Sequence, residues 1–464
     1  MARVVITNQR LFIDGVSLLW LVIRGCGRGQ GRRAPKTWCR RTLWNKETRA
    51  AGAIRAGGDS SLSRHGCRCS AASVEVLRCV VQAVTRERDM KSRVRKFAVG
   101  ALAAAAGMAL MAPAAQAADK FKIFLSMSYI GNDWQAEAAN MLNALAAHKN
   151  YADKVDLQVQ VAGPNAQKQI QQINSMVQAG AKAIIVYPIS PTALNSAVKN
   201  ACAKGVVVIA YDSIISEPCA YNVHIDQKQW GTKSAEWLVD KLGGKGKVVM
   251  ISGVPGTTVD TLRIEGAKEV FSKHPGIEVV AEANGMWSQA VARTELSKIL
   301  ATRNWDQIDG IWMQAGCYTA NSMQSEAGIA DDKLKPCAGE ASNGGRIQML
   351  PVGTKVDGAN GTYRPMGAPR WSSGSQNFTG ALALKLAVDK LEGKEIPALT
   401  DVAQNIVTNE NIKLCAEGTW QEMKDGCNVF QPAIIPNPGW FASIYSDLTP
   451  EVGLNAALVA QPEE

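Results

Sequence analysis

A regular alternation of short apolar strands and amphipathic helices, which begins near residue 119, is the feature that most constrains the fold of this chain. Apolar runs of strand length are predicted at 121–127, 155–161, 183–187, 206–211, 247–251, 277–282 and 310–314. Helices are predicted between them, at 132–147, 167–179, 191–204, 230–242, 261–273 and 289–302. Strands that alternate with helices form parallel sheets covered by helices on both faces. The sequence therefore predicts an α/β protein with two similar lobes in tandem.

Residues 90–117 have the composition of a secretory signal sequence. Four basic residues open the segment, an alanine-rich apolar run follows at 97–111, and the small residues Ala115 and Ala117 are typical of a cleavage site. The alternative is a membrane anchor, but the apolar run is shorter and poorer in Leu and Ile than a span of roughly 20 residues requires. We therefore expect cleavage before Ala118 and export.

The 89 residues that precede this segment carry 15 Arg but only 2 Lys, and they show no sustained period of 2 or 3.6. We interpret residues 1–89 as a disordered upstream extension and place the true translation start at Met90. The native protein should then show no N-terminal sequence that begins before Met90. The alternative is a basic tail that binds nucleic acid, as Arg-rich segments can.

The positive charge of the chain is confined to residues 1–117, which hold 21 Lys and Arg against 6 Asp and Glu. The whole chain has a net charge of +10, whereas residues 118–464 hold 30 basic against 35 acidic side chains, a net charge of −5. Binding to nucleic acid requires a surplus of basic side chains that neutralise phosphates. We therefore expect no nucleic-acid partner for the exported part.

Six of the eleven cysteines lie beyond the signal sequence, an even number in a chain expected in an oxidising compartment. Spacing leaves the pairing open, and we favour the three sequential pairs because each closes a short loop. These pairs are Cys202 with Cys219, Cys317 with Cys337, and Cys415 with Cys427. None of the six has the close spacing of metal ligands, so no metal or other cofactor is expected. A catalytic Cys–His pair stays open but is disfavoured where thiols are oxidised.

Polar and aromatic residues follow the predicted strands at the edge where open α/β sheets bind ligands. The candidate ligand-binding residues are Asn132, Asp133, Trp134, Asp212, Arg263, Trp287, Gln314 and Glu340. Carboxylates, amides and guanidinium groups bind vicinal hydroxyls, and an aromatic face covers the apolar side of a sugar ring. The structural alternatives are tryptophans that pack the sheet edge, an exposed pair of Arg263 with Glu265, and a turn capped by Asp212. Their common placement favours a site for a sugar or polyol.

Several motifs, taken in order, resemble the periplasmic sugar-binding proteins of ABC importers, of the ribose-binding type. The motifs are Asn132-Asp133-Trp134-Gln135, the run from Ala181 to Pro191, the run from Gly205 to Asp212, Gly253-Val254-Pro255-Gly256-Thr257-Thr258, and Arg263-Ile264-Glu265-Gly266. No single motif is specific for this family, but the motifs are specific for it when they occur in this order and at this spacing. The resemblance covers about residues 119–410.

The resemblance implies two Rossmann-like lobes, each with a parallel sheet, joined by a three-segment hinge and closing on one sugar. The hinge segments would lie near 223–226, 372–375 and 405–409. The first lobe would comprise residues 118–223 and 374–408, and the second lobe residues 224–373. Residues 409–464 run beyond the part that can be matched, and we expect a packed extension held by a disulfide.

The resemblance also assigns roles. Asn132 and Trp134 would be the polar and stacking residues of the first lobe, Asp212 the hydroxyl-binding aspartate, Arg263 and Trp287 the arginine and aromatic cover of the second lobe, and Glu340 an acidic residue after a later strand. The chain departs from the family at Ser213, where many relatives have Arg, and at Ala315-Gly316, where they have Asn-Asp. The identity of the sugar therefore stays open. A disulfide between Cys317 and Cys337 is expected to reshape this altered wall.

The expected function is capture of a sugar or polyol in the periplasm and its delivery, by a monomeric protein, to an ABC permease in the inner membrane. An enzyme that uses Asp212 or Glu340 as acid and base is disfavoured, because no nucleophile-elbow, metal-ligand or phosphate-loop motif is present. A sugar-responsive repressor would need a DNA-binding module where the signal sequence lies. A chemoreceptor or sensor-kinase partner, and a ligand other than a sugar, stay open.

Overall fold

The computed structural model describes residues 5–13, 16–24 and 119–463. The leading segment holds two antiparallel strands, β1 (Val5–Ile13) and β2 (Val16–Arg24), both rich in β-branched residues. The sequence predicts disorder for 1–89, and the structure assigns these two stretches a hairpin instead. The rest of that segment and the predicted signal sequence lie outside the described residues. Among the described residues, no helix is both long and apolar enough to span a membrane.

The first lobe of the remaining chain is built on a six-stranded parallel sheet. Its strands are β3 (Phe121–Met127), β4 (Val155–Val161), β5 (Ala183–Tyr187), β6 (Val207–Asp212), β7 (Tyr221–His224) and β13 (Leu399–Asp401), in the order β13-β7-β6-β5-β3-β4. Its helices are α1 (Asp133–Ala147), α2 (Ala166–Gln178), α3 (Asn195–Ala203) and α9 (Thr379–Leu391). The central strands are continuous apolar runs because both of their faces are buried.

The second lobe repeats this plan. Its strands are β8 (Gly246–Ser252), β9 (Ile277–Asn284), β10 (Gly310–Met313), β11 (Cys337–Gly339), β12 (Arg370–Ser372) and β14 (Val407–Thr408), in the order β14-β12-β11-β10-β8-β9. Its helices are α4 (Gln227–Lys241), α5 (Thr258–Ser272), α6 (Gln289–Leu300), α7 (Cys317–Glu326) and α8 (Asn343–Met349). The α/β class with parallel-dominated sheets is confirmed. Within this second-lobe sheet, β14 is the one strand that runs antiparallel to its neighbour. The chain enters β14 from the sheet of the first lobe, so no crossover helix connects it to β12 in the way that parallel strands require.

The chain passes between the two sheets three times. The passages lie between His224 and Gln227, between Ser372 and Thr379, and between Asp401 and Val407. The hinge segments predicted from the resemblance overlap or adjoin all three. These passages place the carboxyl ends of both sheets opposite each other, with the residues that follow each strand on the facing surfaces.

Helices next to this interface begin at capping side chains. Asn132, Asp226, Thr257 and Ser288 each accept a hydrogen bond from a backbone N–H in the first turn of the helix that follows. Helix α4 therefore begins at Gln227, three residues before the predicted start. These caps fix where each polypeptide segment turns from a strand end into a helix, and so where the residues of the interface point.

The C-terminal extension, residues 409–463, packs against both lobes. It contains β15 (Leu414–Cys415), α10 (Trp420–Lys424), β16 (Val429–Phe430) and α11 (Leu454–Val459). Helix α11 lies on α1 of the first lobe, where the Asn140 side chain donates to the Ala457 carbonyl at 2.8 Å. In the second lobe, buried Arg346 donates to the Asn428 carbonyl and to the Ser443 hydroxyl. The extension thus adds a connection between the lobes that the three passages do not supply.

All three sequential disulfides are present, which confirms the predicted pairing. They join Cys202 to Cys219, Cys317 to Cys337, and Cys415 to Cys427. The second ties the start of α7 to the start of β11, and both of its sulfur-bearing side chains are fully buried. The third closes a loop inside the extension.

Replacing Cys317 and Cys337 together by alanine is expected to lower the free energy of unfolding by about 3 kcal/mol, because the bridge closes a loop with a sequence separation of 20. Urea unfolding, followed by tryptophan fluorescence, measures the change. The matched control replaces Cys202 and Cys219, whose bridge is less deeply buried, and should lose no more than the first variant. An unchanged urea midpoint for the Cys317 and Cys337 variant would contradict the prediction.

Candidate functional site

A cavity with about 420 Å³ of space between atoms, part of it open to solvent, lies between the two lobes. Residues from both sheets line it, and so does one residue of the C-terminal extension. Seven of the eight candidate residues are among them: Asn132, Trp134, Asp212, Arg263, Trp287, Gln314 and Glu340. We call this space the main cavity.

A buried network joins the two lobes at the floor of the main cavity. The Gln227 side-chain amide donates to Asp212 Oδ1 at 3.0 Å, and its carbonyl accepts from Arg263 Nε at 2.9 Å. Arg263 Nη2 also donates to the Ser375 hydroxyl at 3.2 Å. Asp212 is 3% exposed and Arg263 5% exposed. One carboxylate and one guanidinium are therefore held in fixed directions away from bulk water.

Burial sets the protonation properties of this pair. It raises the pKa of Asp212, and hydrogen bonds from Ser375 and Gln227 together with the Arg263 charge limit that rise. Burial also lowers the pKa of Arg263 to about 10, against the opposing effect of Asp212. Arg263 therefore remains charged at neutral pH. Its guanidinium carbon lies 4.2 Å from the centre of the Trp230 ring, a cation–π contact that supports the buried charge.

Two residues of the main cavity have a backbone conformation that L-amino acids rarely adopt. Asp212 has φ 64° and Trp287 has φ 52°. A non-glycine residue in this region is unusual, and such residues occur often at functional sites. Asp212 ends β6 and Trp287 lies in the turn that follows β9, and both residues line the main cavity.

The first-lobe wall is aromatic. The Trp134 ring lies nearly parallel to the Tyr211 ring, with an interplanar angle of 20°, and packs against Tyr187 with ring centres 5.9 Å apart. The Trp134 indole N–H donates to the Ser375 carbonyl at 2.7 Å, which fixes the ring relative to the second passage between the lobes. A flat, rigid ring at this position can cover the apolar face of a ligand.

The second-lobe wall is held by a chain of hydrogen bonds. The Trp287 indole N–H donates to Gln314 Oε1 at 2.9 Å, and the Gln314 side-chain amide donates to Asp260 Oδ1 at 2.8 Å. Gly253 leaves room for this arrangement, since a Cβ atom there would lie 2.0 Å from the Trp287 indole nitrogen. The ring therefore requires glycine at this strand end.

Glu340 lines the main cavity, but its carboxylate oxygens already have protein partners. Oε1 lies 3.2 Å from Arg370 Nη2 and accepts from the Ser342 hydroxyl at 2.8 Å, and Oε2 accepts from the Gly316 backbone N–H at 3.0 Å. Burial alone would raise the pKa of Glu340, but the Arg370 charge and the hydrogen bonds outweigh it and hold the pKa below its usual range. These contacts indicate that Glu340 also orders the loop at Ala315-Gly316.

Asp133 is the one candidate residue that does not line the main cavity. It lines a second space beside it, the outer chamber, which has about 600 Å³ of space between atoms, part of it open to solvent. Its Oδ1 accepts from the Asn437 side-chain amide at 3.0 Å in the C-terminal extension. Asn132 faces both spaces, and its Oδ1 is occupied as the cap of α1.

Residues that were not among the candidates also take part in the site, and among them Tyr187, Gln227, Ser375 and Phe441 contribute a ring or a hydrogen-bonding side chain. Tyr187 is the last residue of β5, and ligands bind at the carboxyl ends of parallel strands, so its place at the site could have been predicted. Ser375 lies in a predicted hinge segment, and Gln227 follows another. Phe441 belongs to the C-terminal extension, and no feature of the sequence pointed to it.

The strap, residues 437–443 of the extension, holds Phe441 between the lobes. The Phe441 backbone N–H donates to Glu137 Oε1 of the first lobe at 2.7 Å. In the second lobe, the Asn343 N–H donates to the Trp440 carbonyl at 2.6 Å, and the Ala442 N–H donates to the Ala341 carbonyl at 3.0 Å. Contacts on either side of Phe441 thus fix its ring at the cavity wall.

Within residues 119–463 and the leading hairpin, no group of three or more His, Cys, Asp or Glu side chains is placed to hold a metal ion. The polar residues that line the main cavity include one buried carboxylate and one buried guanidinium, those of Asp212 and Arg263.

Comparisons with known proteins show which proteins this chain is similar to. The xylitol-binding protein of Mycolicibacterium smegmatis is 29% identical over 180 residues, which span 38% of this chain and 51% of that protein. This match thus covers about half the length of that relative. A multiple sugar-binding periplasmic receptor of Rhizobium radiobacter is 26% identical over 322 residues, which span 64% of this chain and 86% of the receptor.

Solved structures share the fold. An ABC transporter solute-binding protein from Thermobispora bispora matches with a TM-score of 0.54 and 25% identity, over 63% of this chain and 86% of that chain. The model of the periplasmic binding protein domain matches residues 123–395, more than half of the chain. These relatives are binding proteins and not enzymes. This chain therefore belongs to the periplasmic binding protein family.

Proposed function

We propose that this protein captures a sugar or polyol between its two lobes and delivers it to an ABC transporter permease in the inner membrane. One observation carries the proposal: a single cavity brings the buried Asp212 carboxylate and Arg263 guanidinium together with the rings of Trp134 and Trp287. Charged planar groups bind pairs of adjacent hydroxyls, and aromatic rings cover C–H faces. Polyols and sugars offer both surfaces.

The relatives support the ligand class. Their names specify binding of xylitol, of several sugars and of D-xylose. Those names differ among themselves, and this chain departs from the family pattern at Ser213 and at Ala315-Gly316. We therefore propose the ligand class, sugars and polyols, and no individual ligand.

Closure of the lobes is the proposed mechanism. Asp212 ends a strand of the first lobe, whereas Arg263 lies on α5 of the second lobe. A ligand that contacts both residues binds the closed form more tightly than the open form and shifts the population toward it. The permease then distinguishes the loaded protein by the surface that the closed lobes present.

Export to the periplasm as a monomer is part of the proposal. The signal-like composition of residues 90–117 supports it, and so do the three disulfides, which persist in oxidising compartments.

A saturable rise in Tm with at least one pentose, hexose or polyol is expected in a thermal-shift screen of the purified protein. A ligand at about 100 times its Kd stabilises the folded form by about 2.7 kcal/mol, because it binds only that form. The corresponding rise in Tm is several degrees. Amino acids of similar size serve as controls and should leave Tm unchanged. The absence of any carbohydrate-dependent shift would contradict the proposed function.

A further inference from the structure

The outer chamber adjoins the main cavity and is larger, at about 600 Å³ against about 420 Å³. The two spaces share five lining residues, namely Asn132, Trp287, Ala315, Glu340 and Phe441. The outer chamber adds Asp133, Ser288 and Gln289, which do not line the main cavity. A ligand seated in the main cavity therefore lies beside residues that also line the outer chamber.

Free hydrogen-bonding groups line the outer chamber. Three side chains of the outer chamber each have one polar atom without a hydrogen-bond partner among the described residues, namely Asn132 Nδ2, Asp133 Oδ2 and the Ser288 hydroxyl proton. The hydrogen bonds that these side chains do make, in the helix caps and with Asn437, use their other atoms. Two donors and one acceptor suit hydroxyl groups, which both donate and accept. The Asp133 carboxylate disfavours an anionic group.

Phe441 lies where the two spaces meet. Its ring is held by backbone hydrogen bonds of the strap to Glu137 in the first lobe and to Ala341 in the second. These contacts place the Phe441 residue at the boundary of both lobes in the arrangement of this structure. An apolar surface between two polar spaces fits the junction of a ligand that carries hydroxyls at both ends.

We propose that the site takes a two-part ligand: a sugar or polyol unit in the main cavity, joined to a hydroxylated substituent, such as a second sugar unit, in the outer chamber. This inference rests on the proposed function. It narrows the ligand class from free sugars to glycosides and short oligosaccharides, and it gives the C-terminal extension a role in specificity through Phe441.

The test compares affinities by isothermal titration calorimetry for a panel of free sugars and polyols and for their glycosides and disaccharides. At least one glycoside is expected to bind about tenfold tighter than its parent sugar, corresponding to one extra pair of good hydrogen bonds. Ala290 is exposed at the wall of the outer chamber, so Ala290→Trp fills that space. This variant should lower glycoside affinity about tenfold and change parent affinity less than threefold.

The matched control is Ser297→Trp, which places the same side chain on α6 about two turns farther from the chamber. It should leave both affinities unchanged. If every parent sugar binds as tightly as its glycosides, or if Ala290→Trp does not affect glycoside binding, the two-part ligand is wrong while the proposed function stands. If no carbohydrate binds at all, the proposed function fails and this inference fails with it.

Discussion

Replacing Arg263 by methionine is expected to weaken sugar or polyol binding by about 100-fold or more. The guanidinium is 5% exposed, and it holds Gln227 and Ser375 in place through hydrogen bonds of 2.9 and 3.2 Å. Truncating one member of a buried, hydrogen-bonded pair of charges costs about 2–5 kcal/mol in binding, because the other charge stays buried with less compensation. Arg263 and Asp212 are linked through Gln227, so we expect a loss in the lower part of this range. Here the remaining charge is Asp212, the proposed hydroxyl-binding carboxylate.

Calorimetric titration of the wild type and the variant with the ligand found in the thermal-shift screen measures this loss. Arg293→Met is the matched control, since Arg293 lies on α6 of the same lobe, is exposed and pairs with Glu326 at the surface. Exposed pairs contribute about 0–1 kcal/mol, so the control should bind like the wild type. Equal affinity of Arg263→Met and the wild type would remove Arg263 from the site.

The same change should also destabilise the ligand-free protein, which provides a second readout. Arg263 stacks on the buried Trp230 ring, and a cation–π contact in a desolvated site is worth about 2 kcal/mol. Methionine retains the packing but not the charge. The expected losses are therefore similar, about 2 kcal/mol in stability and about 2.8 kcal/mol in binding, whereas a residue with only a structural role would show the stability loss alone.

The strands were the most predictable part of the fold. The bounds predicted for β3, β4 and β5 coincide with those of the structure. A strand in a parallel sheet covered on both faces reads as a continuous apolar run, so its ends are visible in the sequence. The helix predicted at 191–204 instead begins at Asn195, because the four residues from Pro191 form a turn. Boundaries of this kind depend on local hydrogen bonds that composition does not reveal.

The site could be predicted where a topological rule applied. Asp212 and Gln314 were found because ligands bind at the carboxyl ends of parallel strands. Gln227 and Ser375 lie in passages between the lobes, and their place at the site depends on how the two sheets face each other. Phe441 reaches the site through the packing of an extension that follows both lobes. Contacts of this kind are set by tertiary structure and leave no local pattern in the sequence.

Replacing Arg370 by methionine is expected to have the largest effect on stability, with a loss of about 3 kcal/mol in the free energy of unfolding at pH 7. The Arg370 and Glu340 side chains are 0% and 2% exposed and lie 3.2 Å apart. Breaking a buried ion pair by removing one partner typically costs about 3–5 kcal/mol. We expect a loss at the lower end of this range, because the substitution also removes the repulsion between Arg370 and the buried guanidinium of Arg346. Among the described residues, Arg346 forms no ion pair with a carboxylate.

The pH dependence should change sign between the wild type and this variant. In the wild type the pKa of Glu340 is held below its usual range, so its stabilising contribution is complete above the unfolded value of about 4.3 and is lost as pH falls through the lower folded pKa. Without Arg370, burial dominates and raises the pKa of Glu340. The variant should then lose stability as pH rises above about 4.3.

Urea unfolding from about pH 2.5 to about pH 8 measures both slopes, because the wild-type slope lies below about pH 4.3. The double variant Arg370→Met with Glu340→Gln is the matched control, because it removes the uncompensated carboxylate and should recover part of the lost stability at pH 7. It should also show no pH dependence from this position. A contradicting result would be an Arg370→Met variant whose stability at pH 7 stays within about 1 kcal/mol of the wild type and whose pH slope is unchanged. The buried ion pair would then not be what orders the Ala315-Gly316 loop. The role of Glu340 would be limited to binding the ligand.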